Sequence, residues 1–310
     1  MVRLTNKKAQ RITKDYDAGQ ISRTANAILH VIFIICVLLC TLPLLLVFMV
    51  SITDNQTLLR YGYTLFPQQI SFSAYTYMLR SGQAIVRAYW VTIQVTVLGT
   101  IFSTLVMAMY AYPLSRPTFK YRKLFTWLVL FTMLFSGGLV PWFVVYTQLL
   151  GIGDTLAVLI IPYLMNAWFV LVLRTFYKSA VPEELLEAAR IDGAGEIRAF
   201  VTIVIPLSTA GIATVALFML IAYWNDWWLA MVFIRSTNLD TIQNFLRQML
   251  TNLQFIARHP AMLGRVDISA MPSETMRMAV AVIAVGPVVF AYPFFQRFFV
   301  KGLMIGAIKG

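Results

Sequence analysis

Charged residues are scarce in this chain, and residues able to carry chemistry are scarcer. Aspartate and glutamate together number 13 in 310 residues, with two histidines and two cysteines. His30 and His259 are far apart in the apolar pattern and share no metal-ligand spacing. No Ser/His/Asp set and no carboxylate pair falls on one side of the apolar segments, which leaves hydrolytic and acid–base catalysis without a seat. A Gly-x-x-x-x-Gly-Lys-Ser/Thr loop is absent, so the chain has no phosphate cradle of that kind. Cys36 and Cys40 lie four residues apart inside one apolar run, where thiols are expected to act as small buried fillers rather than as ligands or a redox pair. The formal net charge of +12 does not signal nucleic acid, because no segment offers a basic patch on a soluble surface.

What the chain has in abundance is apolar. Hydrophobic residues make up 59% and charged residues 12%, with a mean hydropathy of +0.75. That is the composition of an all-α polytopic membrane protein, not of soluble domains. Six segments are long enough to cross a hydrocarbon core of about 30 Å: 25–50, 90–112, 124–148, 155–173, 208–231 and 276–296. Their runs are continuous, without the period-two alternation of barrel strands. The first follows the polar tail 1–24 and lacks a small-x-small cleavage site, so it is expected to be a retained span. All eight lysines fall within 1–24, 114–123, 174–207 and 297–310. The positive-inside rule places those segments in the cytoplasm and 54–88 and 235–275 outside. Gly137-Gly138 and Pro141 interrupt the third segment, and an amphipathic helix is expected over 241–255.

One polar island separates two strongly apolar segments: Glu187-Ala188-Ala189-Arg190-Ile191-Asp192-Gly193-Ala194, followed by Pro206-Leu207. Pro182 suits the first turn of a helix, and Glu183, Glu184 and Glu187 fall toward its N-terminal half, where the dipole favours negative charge. Gly193 supplies a left-handed stop. A second short helix is expected from about Glu196 to Ile205, with Phe200 and Val204 on one face. This pattern resembles the cytoplasmic coupling loop of binding-protein-dependent ABC importer permeases. Gly195 stands where many relatives have Ser, a cap weaker by only a few tenths of a kcal/mol. The resemblance implies that the loop, 182–205, docks into a groove on an ATPase subunit through Glu187, Ala188, Ala189, Asp192, Gly193 and Ala194, with Glu187 meeting a basic residue there.

A second resemblance lies in the C-terminal stretch from Pro293 to Gly310, which looks like the tail of maltose-type, carbohydrate-uptake permeases, particularly the branch for complex oligosaccharides. Together the two imply a type I importer permease fold with six transmembrane helices and both termini cytoplasmic. Its layout would be a tail 1–24, a first helix and external segment 25–89, a transmembrane core 90–296 and a tail 297–310. Implied partners are a second, homologous permease, two ATP-binding cassette subunits, an extracytoplasmic solute-binding protein and an oligosaccharide. The chain itself would bind no cofactor, with ATP and Mg held on the ATPase subunits, and would sit as a multi-pass protein in a bacterial cytoplasmic membrane. Asp226 is the one acid inside an apolar span. Asn225 and Asp226 could hydrogen-bond sugar hydroxyls while Trp224 stacks on a pyranose; the rival is an anchor at the membrane boundary. External arginines exceed external acids, which tilts toward an anionic sugar such as a uronate. The alternatives are a permease for a non-sugar solute and, more remotely, a membrane enzyme acting on lipid-linked sugars.

Overall fold

The computed structural model describes residues 22–80, 82–258, 273–290 and 293–296. Among these residues the architecture is helical, with a single isolated bridge between Thr53 and Ile70 in place of any strand. Ser22 caps α1, Arg23–Ser51, by accepting from the Ala25 amide. Asp54 caps α2, Asn55–Tyr61, through the amides of Gln56 and Thr57. After α3, Ser73–Leu79, the chain enters α4, Gly82–Ser115, which begins eight residues before the expected span.

Three of the expected spans are not single straight helices. The third is α5, Arg122–Leu134, followed by α6, Leu139–Val144, and a π turn at Val145–Leu149; the two parts are bent by 115°. Gly138 sits at φ 81° in the break, and Pro141 lacks the amide that would continue the ladder. The fourth consists of 3₁₀ turns at Leu156–Leu159 and Ile161–Tyr163, then α7, Ala167–Ala180, at a 52° bend. Asn166 caps α7 by accepting from the amides of Trp168 and Phe169. The loop that follows carries α8, Glu183–Ile191, and α9, Glu196–Ala199, which runs through a π turn, Phe200–Val204, into α10, Ile205–Leu207.

The fifth span is α11, Thr209–Trp224, which stops short of the expected residue 231; after a break comes α12, Trp228–Phe233. The amphipathic helix appears as α13, Ile242–Arg258, and α14 spans Ser273–Val289, with a further helical turn at 293–296. Among the described residues two helices, α1 and α4, are individually long and apolar enough to cross a bilayer; three bent pairs add to these if each counts as one span. The tails 1–21 and 297–310, like His259, lie outside the described residues.

The core is built around α4. It packs lengthwise on α11 and α7, and Met107, Leu173, Tyr177, Val215 and Tyr223 fill the seam. A smaller cluster joins α3, α13 and α14 through Met78, Ile242, Leu246 and Met276. α1 touches the rest chiefly through α14 and leaves its apolar surface uncovered in the single chain. Cys36 and Cys40 are exposed on that surface, so they are not the buried fillers expected. Outside the apolar segments, Asp154 ties the 150–155 loop to the end of α12. Its carboxylate accepts from the amides of Ser236 and Arg235, which hold its pKa below the ordinary value.

Candidate coupling surface

The polar island folds as a helix–turn–helix. Pro182 occupies the N-cap of α8, one position earlier than expected, and Glu183 and Glu184 fill the first turn. Leu186 is buried and anchors α8 to the core. At the far end Gly193 has φ 80°; its amide bonds the Arg190 carbonyl, and the Ala194 amide bonds Ala189. Those two bonds define a Schellman stop. Phe200 and Val204 are both buried on one face as their spacing suggests, but within a π turn. Pro206 explains the widening. In a regular helix its ring would crowd the Thr202 carbonyl, and one extra residue in the turn moves that carbonyl away.

Two interactions of Tyr112 fasten this unit to α4, and an ion pair braces the unit internally. The Tyr112 hydroxyl donates to Glu196 Oε2 at 2.8 Å, and the Arg190 Nε and Nη2 donate to Glu196 Oε1 at 3.1 and 2.9 Å. The rings of Tyr112 and Phe200 lie 5.1 Å apart. Arg174 of α7 donates to the Leu114 carbonyl, so the end of α4 is held from both sides.

Of the residues expected to dock a partner, Glu187, Ala188, Asp192 and Gly193 are exposed, while Ala189 and Ala194 are half-buried. Two further residues stand out that the sequence reading did not include. Ile191 is 87% exposed and Ile197 82%, one on each side of the turn. Ile191 lies five residues after the anchoring Leu186, about 140° around the helix at 100° per residue. An apolar side chain on the outward face was the available signal.

The group near the end of α11 behaves differently. Trp224 is 5% exposed and its indole N–H donates to the Ala284 carbonyl at 2.9 Å, so it presents no face for a sugar to stack on; that expectation is corrected by its burial. Asp226 Oδ1 accepts from the Tyr163 hydroxyl at 2.9 Å and Oδ2 from the Leu229 amide at 3.1 Å. Oδ2 therefore holds the start of α12, while Oδ1 ties that start to the 3₁₀ turn at Ile161–Tyr163. Asn225 is exposed, with its amide donating back to the Ile221 carbonyl. Among the described residues no three His, Cys, Asp or Glu side chains gather as a metal site.

Residues 96–305 match the family described as binding-protein-dependent transport system inner membrane component. The chain belongs to that family. Its members are transport components. A relative from Bacillus subtilis (strain 168), the polygalacturonan/rhamnogalacturonan transport system permease protein YtcP, is 34% identical over 93% of this chain and 99% of its own length. Protein LplC of the same organism is 36% identical, over 87% of this chain and 89% of LplC. Among solved structures, a chain of a bacterial ABC transporter involved in the import of the acidic polysaccharide alginate superposes with a TM-score of 0.72 at 28% identity. That match covers 90% of this chain and 99% of the other.

Proposed function

We propose that this chain is one transmembrane permease subunit of a type I ABC importer that carries acidic oligosaccharides across a bacterial cytoplasmic membrane. It pairs with a second, homologous permease. Of two ATP-binding cassette subunits, which hold ATP and Mg, one receives the 182–205 loop in a groove, and an extracytoplasmic binding protein delivers the sugar. The observation that carries this reading is the pair of exposed isoleucines on a rigidly stopped helix–turn–helix that is fastened to α4. An isolated apolar side chain at the surface is ordinary, but two at the tip of a polar loop suit a partner's groove. The acidic substrate is supported by a relative named for polygalacturonan/rhamnogalacturonan transport, by a structural neighbour involved in the import of the acidic polysaccharide alginate, and by the arginine excess in segments read as external.

The test is uptake by the reconstituted complex in proteoliposomes. ATP-dependent accumulation of oligogalacturonides above that of neutral oligosaccharides of equal length is expected. Preference for the neutral series would overturn the acidic assignment, and uptake of neither would overturn the sugar assignment.

The six-span topology, with both termini in the cytoplasm, yields a labelling prediction. Single cysteines at the exposed positions Lys120 and Asn238, on a background lacking Cys36 and Cys40, are expected to react with an impermeant maleimide from opposite sides. Reaction of both from one side would sink it.

Asp226 is read as a structural cap. Asp226→Asn replaces one acceptor oxygen with a donor beside Tyr163 or the Leu229 amide, at a cost of about 1–3 kcal/mol for a buried unsatisfied group. A lower melting temperature of the complex with unchanged relative preference among sugars is expected. A changed preference at unchanged stability would return Asp226 to the pathway.

A further inference from the structure

Hydrogen bonding at the end of α4 is incomplete at one residue. Arg116 follows α4 directly and is only 5% exposed, with its guanidinium carbon 5.3 Å from the centre of the Tyr112 ring. Its Nε and Nη2 are buried and have no partner among the described residues. Guanidinium carries five donors and stays ionised. Burying such a charge without an anion is unfavourable, and the face of one aromatic ring offsets only part of that.

Carboxylates that act on Arg116 come from both helices of the loop, Glu183 of α8 and Glu196 of α9, with Arg190 as the like charge beside them. Glu196 is engaged instead by Arg190, 2.9 Å away, in a solvent-exposed ion pair. Exposed pairs of this kind contribute little to stability. A carboxylate thus sits in a weak pair next to a buried cation that lacks one. Tyr112 stands between the two, with its hydroxyl on Glu196, its ring against Phe200 and its face toward Arg116.

We propose that Glu196 exchanges partners during transport. It pairs with Arg190 in the conformation described here and with Arg116 in the alternate one, so that Arg116 acts as a positioning residue that carries movement of the loop into α4. The proposal rests on the reading of 182–205 as the ATPase-docking loop. A joint with two discrete arrangements transmits a displacement because each docked state of the ATPases favours one arrangement over the other. In the Arg116-paired arrangement α9 is drawn toward the end of α4 and the empty guanidinium donors are filled.

The assembled complex in proteoliposomes tests this by three readings: ATPase capture, basal hydrolysis, and hydrolysis stimulated by the binding protein loaded with an oligogalacturonide. Arg116→Gln is expected to keep capture and basal hydrolysis and to lower stimulation about 10-fold, within the range usual for coupling between sites. Combining it with Glu196→Gln is expected to lower stimulation no further than the worse single change. Full stimulation in Arg116→Gln, or losses that multiply in the double variant, would overturn the exchange. If Arg116→Gln does not assemble, Arg116→Lys is read instead, since it keeps the charge but loses the planar fork. Reduced stimulation at normal basal hydrolysis is then expected, and full stimulation overturns the proposal. Failure of the docking reading looks different: ATPase capture would persist when the exposed isoleucines are removed, whatever Arg116 does.

Discussion

Serine at both Ile191 and Ile197 is expected to abolish capture of the ATPase subunits while leaving the permease inserted and folded. Each isoleucine is more than four-fifths exposed, so neither contributes to the packing of this chain. Burying one such side chain in a partner's groove contributes about 1.5–3 kcal/mol, and two about 3–6 kcal/mol. At 1.4 kcal/mol per decade the double change weakens association on the order of 10²- to 10⁴-fold. Gly193→Asp acts on the same surface by another route. An added Cβ at Gly193 meets nothing within 4 Å, so the cost inside this chain is the backbone strain of φ 80°, about 1 kcal/mol. The larger loss is expected where the new carboxylate faces the partner. Glu187→Lys, which reverses an exposed charge on the same helix, is expected to weaken capture as well, and Lys178→Ala serves as the near-neutral control. Co-purification of the ATPase with the tagged permease checks all four. Normal capture by the Ile191→Ser, Ile197→Ser variant would falsify the docking assignment.

The loop was legible because its signals are local. Pro182, the early glutamates and Gly193 each act within one turn of helix, and α8 and its Schellman stop follow them closely. The same holds for α13, where amphipathic spacing located the helix to within three residues at its far end, and for the break at Gly137-Gly138. The joint to α4 was not legible, because Tyr112 and Glu196 are 84 residues apart and only the packing of α4 against α9 brings them together. The bend before α7 was hidden for a different reason. Residues 156–165 are almost uniformly apolar, and such a run reads alike as α-helix or as short 3₁₀ turns. Trp224 was misread because an indole near a span end fits both a membrane boundary and a buried seam; the Ala284 carbonyl that decides between them lies 60 residues away.

The seam between α4 and α11 is where a single methyl group is expected to matter most. A Cβ at Gly99 would lie 2.6–2.7 Å from three ring atoms of Tyr223, closer than any carbon contact tolerates. The ring has little room to retreat. It is 1% exposed, and its hydroxyl is tied to the Ile160 carbonyl at 2.9 Å. Small residues let transmembrane helices approach this closely, and here the approach is what places Tyr223 in the core. Gly99→Val adds a branched side chain to that contact. Overpacking costs about 1–3 kcal/mol where neighbours can shift, and at this distance from a pinned ring the upper end or beyond is expected. The variant should still insert, because valine is apolar, but melt well below the wild-type complex and assemble poorly with its partner permease. Tyr223→Leu supplies the internal check. Alone it leaves a cavity and lowers the melting temperature; together with Gly99→Val it frees the space that the valine needs, so the double variant should melt above the value obtained by adding the two single losses. Tyr223→Phe keeps the ring and should give no such rescue. A Gly99→Val complex that melts with the wild type, or additive losses in the double variant, would show that α4 and α11 do not meet at this contact.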